Sequence, residues 1–340
     1  MKENRVAILG YGGIARSHKG GYIRLQEDCA PVKLVALCDI DETQFTKTVT
    51  INTGETSSED LSAYHLYTDF DEMLAKEEFD TVDICLPTFL HKEYTIRALK
   101  AGKNVQCEKP MALSSADCAE MIAAAEESGK KLMIGQCLRF DGGYVALKEY
   151  LDSGKAGKVL SVRCERYSAM PRWAFEGWFH DYSRSGGEMH DMSIHDYDMI
   201  RFLFGEPKRV SAFGVDHEMK EQVSHAIMQY EDGMLVSVGG SWGESSTFPF
   251  TFGIHVTAEN ATVIWKNKMT APRVYPNEGE PYDLPCTLVN YMAEQAHYFA
   301  RVIAGEIENT TNPPESAMQT VALVEKLKES AAKGGTIIEI

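Results

Sequence analysis

The 340-residue chain has no C-x-x-C pair among its eight cysteines, no internal repeat, no low-complexity segment, and no apolar stretch near the ~20 residues of a membrane helix. The cysteines, at 29, 38, 85, 107, 118, 137, 164 and 286, show no framework spacing. Cys38, Cys85 and Cys107 fall in apolar strand-like runs, where a thiol behaves as a small hydrophobe. A disulfide scaffold is therefore excluded, and a reducing cytoplasm is the expected location. Positive charge is also short. Lys and Arg number 34 against 50 Asp and Glu, leaving a net charge of −16. Nucleic acid or an anionic membrane is thus excluded as the main partner. The apolar run after Lys2 and Arg5 has only strand length, too short for a secretory signal. What is present, 44% hydrophobic and 25% charged residues over a two-domain length, is the composition of a soluble globular protein.

The most informative stretch is Val6-Ala7-Ile8-Leu9-Gly10-Tyr11-Gly12-Gly13-Ile14-Ala15. An apolar run breaks into close-set glycines and resumes at helical spacing through Ile14, His18, Tyr22 and Leu25. This reads as strand, tight turn and helix, and it matches G-x-G-x-x-A, the dinucleotide fingerprint with Ala15 as the third small residue. Gly10 can adopt angles closed to other residues, and Gly12 carries no side chain to hold a pyrophosphate away. The phosphates would meet free N–H groups of Gly13 and Ile14 at the positive end of the helix. The strand Lys33–Cys38 then ends at Asp39, 24 positions beyond Ala15 and close to the ~20-residue offset of a ribose-binding acid. A carboxylate there repels a 2′-phosphate, and no arginine at 40 or 41 would welcome one, so NAD is expected over NADP.

Residues 48–63 read as an irregular connection, after which strand and helix alternate. Leu66-Tyr67 is a strand, 69–77 a helix, 81–86 a buried strand stopped by Pro87, and 90–101 a helix ended by Gly102. Strand 103–107, helix 114–128 and strand 131–134 follow. This pattern predicts a doubly wound parallel sheet, a Rossmann domain over residues 1–135. Ligands of such sheets lie at the carboxyl ends of the strands. The loops there hold Leu86, Thr88 and His91 after one strand, and Glu108-Lys109-Pro110 after the next. These residues join Gly10, Gly12, Gly13, Ile14 and Asp39 as cofactor-binding candidates. Lys109, between a glutamate and a proline, would be held in a short rigid turn.

The pattern changes beyond residue 136. Helix 142–152 leads to strand 159–168, an aromatic loop with Trp173, Trp178 and Tyr182, and a helix over 188–204. Strands at 208–216, 223–230, 234–242, 250–258 and 262–266 follow, with Asp232-Gly233 a hairpin turn. Two helices, near 288–304 and 315–333, and a strand at 336–340 end the chain. Residues 136–340 thus read as an α+β domain with a large, mainly antiparallel open sheet. In the helix over 188–204, Asp191 and His195 stand four apart and would share one face. An imidazole there suits removal of a proton from an alcohol, with the Asp holding substrate or tuning the base. His190 and His195 are five apart and diverge by about 140° around a helix, so no metal site is expected. Arg139 and Trp178 are the candidates for substrate contact, with ordinary packing as the competing reading.

Gly10-x-Gly12-x-x-Ala15, Asp39, Glu108-Lys109-Pro110 and Gly186-Gly187-(x)3-Asp191-(x)3-His195-Asp196 together resemble the glucose–fructose oxidoreductase / inositol dehydrogenase family, Gfo/Idh/MocA. The resemblance covers essentially the whole chain, and the E-K-P element is its specific part. It implies a Rossmann domain followed by an α/β domain whose open sheet forms dimers or tetramers. It also implies NAD(P)-linked oxidation of a sugar or polyol hydroxyl, or reduction of the ketone. By position, Lys109 matches the lysine that contacts the nicotinamide ribose and the reacting oxygen, while Asp191 and His195 match the Asp and His of the dehydrogenase triad. Ser185 replaces the first glycine of a common G-G-G, His190 stands where an apolar residue is usual, and Thr88 replaces a frequent Asn. Two other readings share the fold: a non-catalytic NAD-binding sensor and an NAD-dependent glycoside hydrolase. A sensor has no need of a base beside the nicotinamide.

Overall fold

Strand and helix alternate from Asn4 to Gly135 in the computed structural model, which describes residues 2–51, 54–56 and 60–340. In chain order they are β1 (Asn4–Leu9), α1 (Gly13–Glu27), β2 (Val32–Cys38), the short hairpin β3 (Val49–Ile51) and β4 (Gly54–Thr56), β5 (His65–Tyr67), α2 (Phe70–Lys76), β6 (Thr81–Ile84), α3 (Thr88–Lys100), β7 (Asn104–Glu108), α4 (Ser115–Ser128) and β8 (Leu132–Gly135). Part of the connection expected at 48–63 lies outside the described residues. The remaining strands form one six-stranded parallel sheet in the order β5-β2-β1-β6-β7-β8. Its strands read as apolar runs because both faces are covered. Start and stop signals fall where the sequence places them: Asp69 caps α2, Ser114 caps α4, and Gly129 ends α4 in the left-handed region.

The chain continues through α5 (Gly142–Asp152), β9 (Val159–Ala169), α6 (Tyr182–Ser185), α7 (Glu188–Asp191), α8 (Ile194–Phe204), β10 (Arg209–Val215), β11 (Val223–Gln229), β12 (Leu235–Glu244), β13 (Thr251–Ala258), β14 (Ala261–Lys266), β15 (Arg273–Pro276), β16 (Tyr282–Asp283), α9 (Tyr291–Ile303), α10 (Pro314–Ala332) and β17 (Ile338–Glu339). A nine-stranded sheet runs β16-β15-β14-β13-β9-β12-β11-β10-β17, antiparallel except where β12 meets β9. Alternation along β11, buried at Ser224, Ala226 and Met228, gives this sheet one core face. The fold class is therefore as read from sequence: an α/β Rossmann sheet plus a large, largely antiparallel sheet.

Two compact units emerge, residues 1–137 with 290–319, and residues 138–289 with 320–340. The sequence reading gave all of 136–340 to the second domain, whereas α9 packs within the first unit. The reason is local. Ala293, Ala296 and Ala300 of α9 join Tyr22, Leu25 and the β1 side chains in one core cluster. Gly21 of α1 makes room for this crossing, since a Cβ there would stand 2.9 Å from the Ala293 nitrogen. The Gly20-Gly21 pair inside α1 was the sequence signal for a close helix crossing. Among the described residues, no helix is long and apolar enough to cross a membrane.

Candidate active site

The carboxyl ends of the parallel strands bring the first-unit candidates to one edge. Gly10 follows β1 with φ +87, and a Cβ on it would lie 2.8 Å from the Cys85 carbonyl oxygen. Its N–H is bonded to the Cys38 carbonyl, which ties the turn to the end of β2. Gly12 is the N-cap of α1 and supplies no side-chain cap, and the first turn carries no acid. A Cβ at Gly12 would meet nothing within 4 Å. These are the properties of an anion cradle: open space in front of uncapped N–H groups. Gly13 and Ile14 open the helix, and Ala15 is fully buried beneath it.

Asp39 follows β2 directly. One carboxylate oxygen accepts the Tyr11 N–H at 2.7 Å and the other accepts the Asp41 N–H at 2.9 Å. Burial raises the carboxyl above its usual range, and the two backbone donors oppose that rise. Each oxygen keeps a lone pair, so the acid fits ribose hydroxyls and rejects a phosphate. On these observations the turn and Asp39 fit a dinucleotide without a 2′-phosphate.

At the end of β7, Glu108 and Pro110 are buried while Lys109 between them is half-buried. Glu108 Oε2 accepts the Lys109 N–H at 3.1 Å, and its Oε1 lies 2.8 Å from His18 Nε2. The opposite ring nitrogen of His18 is 2.7 Å from Asp83 Oδ2, which also accepts the Tyr22 hydroxyl at 2.8 Å. Burial opposes charge on His18, but the Asp83 carboxylate and its hydrogen bond raise the ring well above the ordinary histidine value. Burial likewise opposes ionisation of Glu108, yet His18 holds it below the usual carboxylate range. The result is a buried histidine ring held at both nitrogens by acidic side chains. His18, Asp83 and Cys85 also present ligand-type atoms within 4.8 Å of one another. Both His18 nitrogens are already engaged by carboxyl oxygens, and burial pushes the Cys85 thiol up to about 12, so these groups form a hydrogen-bonded network.

His91, a cofactor candidate, is buried with its ring nitrogens 2.7 Å from the Pro110 carbonyl and 2.8 Å from the Leu86 carbonyl. Its side chain and that of Glu108 are spent inside the unit, so their part is to hold the Lys109 turn. Thr88, the first residue of α3, is buried as well. Sequence reasoning missed His18 and Asp83. The signal was a histidine in the apolar stripe of α1 and an aspartate within a fully buried strand, two polar groups that had to find partners.

In the second unit, the helix expected over 188–204 is interrupted. The Glu188 carbonyl accepts both the Met192 and the Ser193 N–H, and this widened turn separates α7 from α8. The Glu188 carboxylate, fully buried, binds the Ser193 and Ser224 hydroxyls. Asp191 therefore ends one helix and Ile194 opens the next, so the four-residue spacing of Asp191 and His195 spans this break. Asp196 is gripped by Arg166 at 2.6 Å. Asp198 is held by Arg139 at 2.8 and 2.6 Å and accepts from Thr320 at 3.0 Å. Of residues 188–198, Glu188, Asp196 and Asp198 are thus bound and buried, while His195 stays partly exposed. Arg139, expected at substrate, is 3% exposed and serves this ion pair instead. Trp178 stacks on Phe179 at 4.0 Å, beside Trp242, so much of the aromatic loop is packing.

A glycine turn at the first strand-to-helix crossover, an acid following the second strand and a lysine at the same sheet edge make an arrangement that fits a dinucleotide. Residues 4–136 match the model of an oxidoreductase family with an NAD-binding Rossmann fold, and residues 144–263 match the GFO/IDH/MocA C-terminal domain. The myo-inositol 2-dehydrogenase of Thermotoga maritima is 30% identical over 70% of this chain and 68% of its own length. The 2,7-anhydro-N-acetylneuraminate hydratase of Mediterraneibacter gnavus is 28% identical over 71% of this chain and 63% of its own. The chain spans 63%, 45% and 54% of the lengths of three of its curated relatives. Among solved structures, aldose-aldose oxidoreductase from Caulobacter crescentus, complexed with glycerol, has the same fold at a TM-score of 0.82 and 22% identity, covering 100% of both chains. The WlbA dehydrogenase from Bordetella pertussis, in complex with NADH and UDP-GlcNAcA, gives 0.80 at 20% identity, covering 100% of this chain and 99% of that one. The chain belongs to the Gfo/Idh/MocA family of NAD-binding oxidoreductases.

Proposed function

We propose that this chain is an NAD-dependent dehydrogenase acting on a secondary alcohol, or the corresponding ketone, of a sugar, an inositol or a related polyol. The observation that carries this reading is the contrast around Lys109: its neighbours Glu108 and Pro110 are buried and held, while the lysine itself is partly exposed at the carboxyl edge of the parallel sheet. NAD, when bound, supplies the hydride acceptor. Gly10, Gly12, Gly13 and Ile14 would hold its phosphates, Asp39 its adenosine ribose, and Leu86, Thr88 and Lys109 border the nicotinamide end. His195 takes the hydroxyl proton, as an imidazole does near neutral pH. The Lys109 ammonium stabilises the alkoxide that develops, and a fixed charge of this kind contributes a few kcal/mol to lowering a barrier. Asp191 orients the substrate or the base, and Trp178 offers a ring edge to the sugar.

The alternating outward face of the second sheet carries Phe213, Val215, Ile227 and Leu235, each about half exposed. An apolar patch of this kind supports a homodimer or homotetramer formed through that sheet. The cysteine pattern supports a cytoplasmic location. A panel of inositols, aldoses, anhydro sugars and oxidised sugars, followed at the NADH absorbance band with NAD and NADP, tests the activity. NAD-linked turnover of at least one polyol supports it. NAD binding without turnover across the panel would favour a sensor, and sugar release without net NADH would favour a hydrolase.

A further inference from the structure

Two histidines that chemistry at the cofactor does not call for grip the residues on either side of Lys109. His18, from α1, binds Glu108, and His91, from α3, binds the Pro110 carbonyl. The His18 side is the more built of the two. Its ring spans from Asp83 in the centre of the sheet to Glu108 at the edge, and all three side chains are buried. Asp83 is itself held by Tyr22 at 2.8 Å and by Gln106 Nε2 at 3.4 Å. Gly135, which pairs with Glu108 across β7 and β8, leaves the space this carboxylate fills, since a Cβ there would stand 2.7 Å from Oε1. The second Glu108 oxygen accepts the backbone N–H of Lys109.

An unbroken chain of hydrogen bonds therefore runs from Tyr22 through Asp83, His18 and Glu108 to the Lys109 main chain. Buried polar groups are stable only when paired, and removing one partner leaves the others unsatisfied. Such a network has a specific output only where it meets something that must be placed, and here it ends on the lysine. We propose that His18 is a positioning residue for Lys109, acting through Glu108 to fix the backbone from which the ammonium reaches the reacting oxygen. This rests on the assignment of Lys109 to the reaction given above. Misplacing a reacting group by about an ångström costs on the order of a hundredfold in rate.

The test uses the full chain and two variants, His18→Asn and Glu108→Gln. The second keeps the size of the side chain but turns a donor toward either His18 or Lys109. Amide hydrogen exchange at Lys109, read by NMR without substrate or cofactor, is the first measurement. Loosening of side chain 108 in either variant is expected to speed exchange at Lys109 by about tenfold or more while amides of β1 and β2 stay protected. On any polyol the wild type turns over, kcat is expected to fall by on the order of a hundredfold with KM changed by less than about threefold. Should His18→Asn fail to fold, Glu108→Gln gives the same readings. Unchanged Lys109 exchange, or kcat within about twofold of wild type in a folded variant, overturns the proposal. If the wild type turns over nothing, the dehydrogenase reading falls, and the exchange measurement still decides whether His18 holds the turn.

Discussion

Asp39 accepts the backbone N–H of Tyr11 at 2.7 Å, so the acid that ends β2 also fixes the first residue after Gly10. One carboxylate thus fixes the shape of the glycine turn and, in the function proposed, faces the adenosine ribose. Replacing it by serine is expected to weaken NAD binding by about tenfold or more, through loss of charge-assisted hydrogen bonds, and to narrow the preference for NAD over NADP. Titration of both cofactors against wild type and Asp39→Ser checks this. An unchanged ratio of the two affinities would show that discrimination lies elsewhere.

Arg139 and Asp198 form a bidentate pair in which each side chain is 2% exposed. Arg139→Met leaves a buried carboxylate with only Thr320, and is expected to cost about 3–5 kcal/mol of stability. The double variant Arg139→Met, Asp198→Leu is expected to recover most of that loss, because it removes both charges. Urea unfolding of the three proteins measures the difference. A single-variant loss below about 1 kcal/mol would mean that the pair contributes no more than an exposed one.

Glu188 gives a pH dependence whose sign can be stated. Burial pushes its carboxyl up to about 8, the Ser193 and Ser224 hydroxyls pull it down, and Asp196 and Asp191 add to the rise. A carboxyl of an unfolded chain titrates near about 4.3. Between about pH 4.3 and about pH 8 the folded state holds a proton that the unfolded state has released, so stability falls as pH rises through that window and levels above it. Glu188→Gln lacks this titration. Its stability relative to wild type should therefore grow from about pH 5 to about pH 8, by on the order of a few kcal/mol, and then stay constant. Urea midpoints across that range measure it, and a difference that does not vary with pH would place the proton elsewhere.

The sequence carried the fold in residues whose local physics admits few alternatives. Gly10 with φ +87, the Gly129 cap and apolar strands between helical stripes marked the parallel sheet, and successive strands joined at turns such as Asp232-Gly233 marked the antiparallel one. Lys109, Asp191 and His195 were legible as polar residues at strand ends and on a helix. Side-chain pairing across distant sequence was not. Arg139 and Asp198 are 59 positions apart, and an arginine looks the same in sequence whether it meets a sugar or a buried aspartate. His18 and Glu108, 90 positions apart, hid for the same reason. The break between α7 and α8 also escaped, because the apolar period continues through Met192 while the Glu188 carbonyl accepts two successive N–H groups. The assignment of α9 needed the crossing at Gly21, a contact that no linear pattern within α9 states.

The central claim is that Lys109 acts in hydride transfer to NAD rather than in folding or cofactor capture. The direct measurement is steady-state turnover and NAD affinity of Lys109→Met beside wild type on a polyol that wild type oxidises. The account predicts a kcat lower by about a hundredfold or more, with NAD affinity within about threefold and an unchanged melting temperature. A kcat within about tenfold of wild type would contradict it.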